Sequence, residues 1–290
     1  MKRQQHFRYV PMRFWFVLLT VAMVAGIGHP AMALAGGPPT ATAEKAAEKT
    51  PQKIAPSTVT PRIGAAGREA VLAYRLKNYV PPEMKIGDGY ADGGRGMKMH
   101  GDGRVSSSRE VIAVDRTRDA ELRKQLEFAR SAEVMKLTPL DRATRLARHV
   151  AWLMTPKEGY RALEAKTDVL DREHRNREVL LGDVTKITGG AGVCRHRSLL
   201  FKLMADEAGL KVSLVRGRYG RDPSKLGAHA WNELRLDDGR VLIVDVTNPL
   251  PDFHFPDDKS KQAARYYNLA RQPYYPGAVK PAVKPQAAVK

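Results

Sequence analysis

Apolar side chains at helical spacing indicate a series of helices in the first half of the chain. The pattern covers Arg62 to Tyr79 and returns at Asp119 to Lys136. The next helix has a clear start, with Thr138 as N-cap, Pro139 in the first turn and Asp141 in the capping-box position. One stripe of this helix is predicted to face a core, and it consists of Ala143, Leu146, Ala147, Val150 and Met154.

Strand patterns dominate the region after residue 210. Lys211 to Tyr219 reads as one strand, and Ala228 to Leu236 and Arg240 to Thr247 form a predicted hairpin around Asp237-Asp238-Gly239. Gly87 to Arg104 fits neither pattern, because it holds seven glycines among eighteen residues. We expect a mobile loop there.

A glycine run, Gly189 to Gly192, precedes a predicted helix over Val193 to Ala208. Cys194 lies in the first turn of that helix, where the helix dipole and the free backbone N–H groups favour a thiolate. We expect Arg195 and Arg197 to add to this effect. The other interpretation is that Cys194 is a small buried apolar side chain. His196 lies about 200° around the helix from Cys194, so it should point elsewhere.

A carboxylate interrupts the apolar strand Val241 to Val246. Asp245 must be hydrogen-bonded or charge-paired if it is buried there, and His229 on the preceding strand is the obvious partner. Each residue also has a simpler interpretation. His229 can be a core histidine bonded to backbone, and Asp245 can cap the turn toward Asn248-Pro249.

The length of the hairpin loop determines whether His229 and Asp245 lie on the same face of the sheet and can pair. Side chains alternate between the two faces of a strand, so the pairing register fixes which residues share a face. A two-residue turn pairs Asp237 with Arg240 and places His229 and Asp245 on opposite faces. A three-residue loop pairs Leu236 with Arg240 and places them diagonally on one face, with Gly239 suited to its left-handed position. A pairing of His229 with Asp245 therefore requires the three-residue loop or a bulge.

Composition limits the classes of protein that remain. The chain has 290 residues, is 43% hydrophobic and contains a single cysteine. The hydrophobic fraction excludes wholesale disorder, and the lone cysteine excludes intramolecular disulfides and sites with several cysteine ligands. The 49 basic residues outnumber the 31 acidic ones, which favours anionic neighbours and says nothing about fold.

The ends of the chain differ in composition from its middle. Residues 1–35 combine a basic start, an uncharged run from Phe14 to Gly28 and small residues typical of a cleavage site. We expect an export signal, or alternatively an uncleaved membrane anchor. Residues 36–62 read as a disordered Ala/Pro/Thr linker and 271–290 as a basic Lys/Pro tail. The folded domain is predicted over 63–270, with a catalytic core at about 137–255.

Three short motifs resemble the core of the transglutaminase-like cysteine-protease superfamily, which has a papain-like architecture. The motifs are Gly192-Val193-Cys194-Arg195-His196-Arg197 with Leu199-Leu200-Phe201, Gly227-Ala228-His229-Ala230-Trp231-Asn232-Glu233, and Ile243-Val244-Asp245. The stretch from Arg195 to Lys202, with Leu181 to Thr185 before it, is also similar to the regulatory domain of plant enhanced-disease-resistance kinases. The resemblance covers about residues 105–255.

The resemblance implies an α+β fold in which helices pack on an antiparallel sheet and the nucleophile opens a helix. It implies Cys194 as nucleophile, His229 as general base and acid, and Asp245 as the carboxylate that orients the histidine. The backbone N–H of Cys194 would stabilise the oxyanion. The implied activity is acyl transfer through a thioester, as an exported protease or amidase rather than a cross-linking transglutaminase. The alternative is a catalytically silent binding module at the cell envelope.

These hypotheses also fix what the protein should bind. We expect a monomer that takes a protein or peptide substrate and needs neither cofactor nor metal. The basic tail can add weak contact with anionic surfaces. Nucleic acid is not expected as a partner, because no pattern of aromatic and basic residues typical of its recognition is present.

Overall fold

The structure of the protein, a computed structural model, describes residues 51–278. The helices are α1 Ala65–Leu72, which runs on into a π-helical turn at Ala73–Lys77, α2 Ala120–Ala129, α3 Ala132–Met135, α4 Pro139–Met154, α5 Tyr160–Glu173, α6 Asp183–Thr188 and α7 Cys194–Glu207. The strands are β1 Tyr79–Val80, β2 Tyr90–Asp92, β3 Lys98–Met99, β4 Val105–Ser106, β5 Val111–Val114, β6 Glu178–Leu180, β7 Val212–Tyr219, β8 Gly227–Arg235, β9 Val241–Val244 and β10 Tyr266–Tyr267.

The main sheet is antiparallel and has five strands. Its order is β1-β7-β8-β9, and β10 pairs with the end of β7 on the same side as β1. A smaller sheet, β2-β5-β6, contains one parallel pair, and β3 and β4 form a separate ribbon. The fold is α+β, with helices packed on an antiparallel sheet, as the motifs implied.

Helix α7 lies at the centre of the domain. Every side chain from Arg195 to Ala205 is buried, and the helix packs against β7 and β8 on one side and α2 and α4 on the other. The predicted stripe of α4 is confirmed, since each of its five residues is fully buried. Thr138 caps this helix as predicted, with its hydroxyl accepting the Asp141 N–H at 3.2 Å.

Two predicted elements differ from the structure. The first helix ends at Lys77, because Asn78 takes a left-handed conformation (φ 59°) that turns the chain into β1. The glycine-rich stretch Gly87 to Arg104 is not a simple loop, since it contains β2 and β3 and buries Tyr90 to Asp92. Gly67 of α1 allows this burial, because a Cβ there would lie 2.1 Å from the Tyr90 nitrogen.

The domain is also longer than the predicted 63–270. The Gln52 N–H donates to the Lys186 carbonyl at 2.9 Å and Ile54 packs on the core, so part of the predicted linker belongs to the domain. At the other end Tyr275 is buried. The predicted signal at 1–35, the first part of the linker and the tail from 279 onward lie outside the described residues. Between residues 51 and 278, no helix is long and apolar enough to cross a membrane.

Candidate functional site

The start of α7 is shaped by tight packing of the glycine run. Gly192 donates to the Met154 carbonyl at 3.0 Å, and a Cβ at Gly192 would lie 2.7 Å from the Met154 sulfur. Val193 is the N-cap in extended conformation and Cys194 is the first helical residue. The predicted first-turn position of the half-buried Cys194 is therefore confirmed.

The hairpin adopts the three-residue loop. Arg235 pairs with Val241 and Asn232 with Val244, and Leu236 donates to the Arg240 carbonyl at 2.9 Å. Gly239 takes the left-handed conformation, with φ 85°. This register, extended past the strand, places His229 and Asp245 on one face, as the pairing hypothesis required.

Asp245 is the first residue after β9 rather than a member of it, so the predicted strand to Thr247 is too long. Its Oδ1 accepts the backbone N–H groups of Thr247 and Asn248, both at 3.0 Å. These bonds turn the chain out of the sheet and fix the carboxylate. Asp245 therefore caps the turn and also keeps Oδ2 for other partners.

Three side chains form hydrogen bonds with the second carboxylate oxygen of Asp245, Oδ2. His229 Nε2 lies 2.7 Å from Asp245 Oδ2, the Tyr266 hydroxyl donates to the same oxygen at 2.9 Å, and Asn248 Nδ2 donates at 3.1 Å. The same ring acts on Cys194, for which His229 is both a hydrogen-bond partner and a neighbouring charge. The Ala230 backbone N–H also donates to the Cys194 sulfur. The structure thus brings the three predicted residues into one hydrogen-bonded chain.

Electrostatics favour a charged pair of thiolate and imidazolium. Burial raises the pKa of Cys194, but the hydrogen bond and charge of His229 and the Ala230 N–H outweigh it and hold that pKa below its ordinary value. Burial also opposes the charge of His229, yet Asp245 and Cys194 raise the pKa of His229 to about 10. Despite its own burial, the pKa of Asp245 is lowered by the charge and hydrogen bond of His229.

Aromatic rings surround His229. Trp231 stacks on it with ring centroids 6.0 Å apart, and Tyr219 and Tyr266 lie at 5.2 and 6.3 Å. The Trp231 N–H donates to the Tyr275 hydroxyl at 2.9 Å. Sequence reasoning missed both Tyr266 and Tyr275, because no motif links them to the triad and the contacts exist only after β10 returns to the sheet.

The two arginines after Cys194 bind acceptors other than the thiol. Arg195 forms an ion pair with Glu110 and donates to the Asp92 carbonyl at 2.8 Å. Arg197 donates to the carbonyls of Gly192 and Met154, both at 2.6 Å. Both are held by buried acceptors, so their role is to fix the start of α7.

His196 points away from the site, as predicted. Its Nδ1 accepts the Val193 N–H at 3.1 Å, and its Nε2 lies 3.1 Å from Glu110 Oε1. Within the described part of the chain, no group of three or more histidine, cysteine, aspartate or glutamate side chains is placed to hold a metal ion.

A histidine on an antiparallel sheet and an aspartate just after the next strand thus lie beside a cysteine that opens a buried helix. Comparison with known families assigns the chain to a peptidase-like family. Residues 97–249, just over half of the chain, match the family described as EDR1/CTR1/ARMC3, peptidase-like. The chain belongs to this family, and the similarity to the regulatory domain of enhanced-disease-resistance kinases, drawn from the stretch Arg195 to Lys202, is confirmed.

Individual relatives match over short segments. Armadillo repeat-containing protein 3 of Homo sapiens is 42% identical over 67 residues, which are 23% of this chain and 7% of that protein. "Probable serine/threonine-protein kinase SIS8" of Arabidopsis thaliana is 38% identical over 55 residues, 19% of this chain and 5% of the kinase. The chain thus matches only a small part of each relative's length. A solved structure, the periplasmic domain of TgpA from Pseudomonas aeruginosa, aligns over 67% of both chains with 16% identity and a TM-score of 0.28.

Proposed function

We propose that the protein is a cysteine-dependent amide-bond hydrolase, a protease or amidase, that works through a thioester. The observation that carries the proposal is the continuous chain from the Cys194 sulfur through the His229 ring to Asp245 Oδ2, which lies 2.7 Å from His229 Nε2. The lowered pKa of Cys194 and the raised pKa of His229 give the nucleophile and the acid that the first half-reaction needs.

In the first half-reaction the Cys194 sulfur attacks the amide carbonyl, and a C–S bond forms. The negative charge that develops on the carbonyl oxygen meets the backbone N–H of Cys194 at the start of α7, where the helix dipole adds to the stabilisation. The His229 imidazolium gives its proton to the leaving amine as the C–N bond breaks, and Asp245 keeps the ring oriented.

In the second half-reaction water attacks the thioester. Neutral His229 takes a proton from the water, the C–S bond breaks, and the carboxylic acid leaves as the thiolate and imidazolium return. A lysine amine in place of water would give a transglutaminase product. The aromatic rings around His229 limit solvent there, which strengthens the interaction of the ring with Asp245.

The test is incubation of the protein with a complex peptide mixture and a primary-amine probe. Cleaved peptides indicate a protease, deamidated glutamine an amidase and probe adducts a transglutaminase. Cys194→Ala and His229→Ala should each remove nearly the whole activity, because residues that act as a unit are not additive. His100→Ala is the matched control, since His100 is exposed and bonded to Ser106. Full activity in Cys194→Ala would refute the proposal.

A second candidate is a binding module that uses the same fold without catalysis, and the basic composition favours it at an anionic envelope. Iodoacetamide separates the two candidates, because an activated thiol is alkylated below its ordinary pKa of about 8.5 and an inert thiol is not. Export through residues 1–35 is part of both proposals. Its test is cell fractionation with the N-terminal sequence of the mature protein, and an intact signal in the cytosolic fraction would refute it.

A further inference from the structure

Three arginines lie around the strand position that pairs with His229, and one of them, Arg218, also donates through Nε to the Leu269 carbonyl at 3.4 Å. In the pairing of β7 with β8, Gly217 lies opposite His229, and its neighbours Arg216 and Arg218 lie opposite Ala230 and Ala228. Arg95 reaches the same point from the glycine-rich stretch, with Nη2 donating to the Gly217 carbonyl at 2.7 Å.

Several contacts hold the Arg216 side chain at this position, and one of its N–H groups has no acceptor among the described residues. Its Nε and Nη2 donate to Asn78 Oδ1 at 3.1 and 2.8 Å, and its guanidinium lies 5.0 Å from the centre of the Tyr74 ring. The side chain is nine-tenths buried (9% exposed), and its Nη1 meets no hydrogen-bond acceptor among residues 51–278. A buried charged donor without an acceptor is costly, so the site is suited to an anion.

The positive charges here act on one another and on the thiol. Burial lowers the pKa of Arg95, repulsion from Arg218 and Arg216 lowers it further, and the charge of Cys194 acts in the opposite direction. The first turn of α7 also lies next to the segment that carries Arg95, because Arg195, the residue after Cys194, donates to the Asp92 carbonyl at 2.8 Å. An acidic side chain, Asp92, lies near the cluster, and its Oδ1 accepts the Gly94 N–H at 2.8 Å.

Arg75 fixes the segment that carries Arg95. Its Nη1 donates to the Gly94 carbonyl at 2.6 Å and its Nη2 to the Met97 carbonyl at 2.8 Å. The π-helical turn thus contacts two members of the cluster. The Arg75 side chain binds the segment that carries Arg95, and the Arg75 carbonyl accepts a hydrogen bond from Arg216 at 3.2 Å. The arrangement is supported by several elements rather than by flexible surface side chains.

We propose that Arg95, Arg216 and Arg218 form a carboxylate-binding subsite beside Cys194, so that the substrate is a peptide with an acidic group close to the reacting carbonyl. The proposal rests on the proposed function in taking Cys194 as the reacting thiol. An aspartate or glutamate side chain and a free C-terminal carboxylate present the same chemistry to guanidinium groups.

The test compares two alkylating reagents of equal shape on the full-length protein, whose single cysteine makes the labelling unambiguous. Iodoacetate carries a carboxylate and iodoacetamide an amide. In both reactions the sulfur bonds to the CH₂ carbon and iodide leaves. Dividing the ratio of the two rates by the same ratio for 2-mercaptoethanol cancels the thiolate fraction and the intrinsic difference between the reagents, and the arginine variants then separate the subsite from the charge of His229 and of the protein as a whole.

We expect a normalised ratio of about ten or more in favour of iodoacetate, the scale of one charge-assisted hydrogen bond. Arg95→Gln and Arg218→Gln should each lower the ratio severalfold, and both positions are exposed enough to leave folding intact. Arg235→Gln is the charge-matched control, since it lies at the far end of β8, about 20 Å from His229 at the rise of a strand. A normalised ratio near one, or equal effects of all three variants, would overturn the subsite.

Failure of the proposed function gives a different result. A slow iodoacetamide reaction that begins only near the ordinary thiol pKa would refute the activated nucleophile and leave the ratio as a valid measure of the subsite. The source of the carboxylate is settled by protection from iodoacetamide with blocked tripeptides. Protection by central glutamate but not central glutamine identifies a side chain, and protection only after unblocking the C-terminus identifies a terminal carboxylate. Equal protection by all three peptides would refute the substrate assignment.

Discussion

Glu110 provides the sharpest test of how the fold holds the start of α7, where Cys194 lies. Its carboxylate is fully buried, forms an ion pair with Arg195 and lies 3.1 Å from His196 Nε2. These two partners directly follow Cys194 in the first turn of α7. Glu110→Gln keeps the shape of the side chain and removes its charge, which leaves the buried Arg195 guanidinium without a counter-ion.

The expected cost follows from burial. Breaking a buried ion pair by removing one partner destabilises a protein by about 3–5 kcal/mol, against a total domain stability of about 5–15 kcal/mol. Burial raises the pKa of Glu110, but His196 and Arg195 outweigh it and lower the pKa to about 2. Because the folded-state pKa is depressed, this stabilisation is present above about pH 4.3 and is lost as the pH falls toward 2.

Urea unfolding of the wild type and Glu110→Gln measures both effects. With an m-value of about 2 kcal/mol/M, the midpoint at neutral pH should fall by roughly 2 M. The difference between the two urea midpoints should shrink as the pH is lowered toward about 2, because the Glu110 carboxylate of the folded wild type then becomes protonated. Glu207→Gln is the matched control, since Glu207 pairs with Arg130 at 3.1 Å near the surface and should contribute less than about 1 kcal/mol. Equal midpoints for Glu110→Gln and the control would refute this reasoning.

Three further predictions concern the triad. Asp245→Asn keeps the turn acceptor but removes the charge that raises the His229 pKa, so kcat should fall about a thousandfold or more. Amide hydrolysis should set in below the ordinary thiol pKa of about 8.5, because the pKa of Cys194 is lowered. It should decline as the pH passes about 10, where His229 loses the proton that the leaving amine needs. Tyr266→Phe removes one of the donors to Asp245, at 2.9 Å, and should reduce kcat by about tenfold.

These outcomes can be told apart from general damage to the fold. Tyr275→Phe is the control for Tyr266→Phe, because its hydroxyl contacts Trp231 and Glu233 rather than Asp245. It should leave the pH profile of hydrolysis unchanged. If Asp245→Asn shows wild-type kcat, or if both tyrosine variants shift the pH profile equally, the hydrogen-bonded chain is not the catalytic unit.

The parts of the site that sequence reasoning predicted are those set by local rules. The first-turn position of Cys194 follows from a glycine run and a helical pattern within a few residues. The register of the hairpin follows from one loop, in which Gly239 supplies the left-handed residue. The face shared by His229 and Asp245 then depends only on strand alternation. Each of these inferences needs fewer than about twenty residues of context.

What could not be predicted depends on contacts between distant parts of the chain. The glycine-rich stretch is ordered by Arg195, whose guanidinium donates to the Asp92 carbonyl at 2.8 Å across more than a hundred residues. The same contact gives the Arg195 guanidinium an acceptor other than the thiol. A pattern shows that a charged side chain follows a cysteine, but only the fold shows which acceptor its guanidinium reaches.

The family match contains the three residues of the proposed triad but not everything that positions them. Residues 97–249 include the turn that holds Asp245, yet the Tyr266 hydroxyl that completes its set of donors lies beyond them. Asn78, which fixes Arg216 through Oδ1, lies before them. In the proposed function, the segments flanking the matched region therefore set two separate properties, the charge of the triad and the chemistry of the neighbouring subsite. Members of the family that share the motifs but differ in these flanks should share the nucleophile geometry and differ in the substrates they accept.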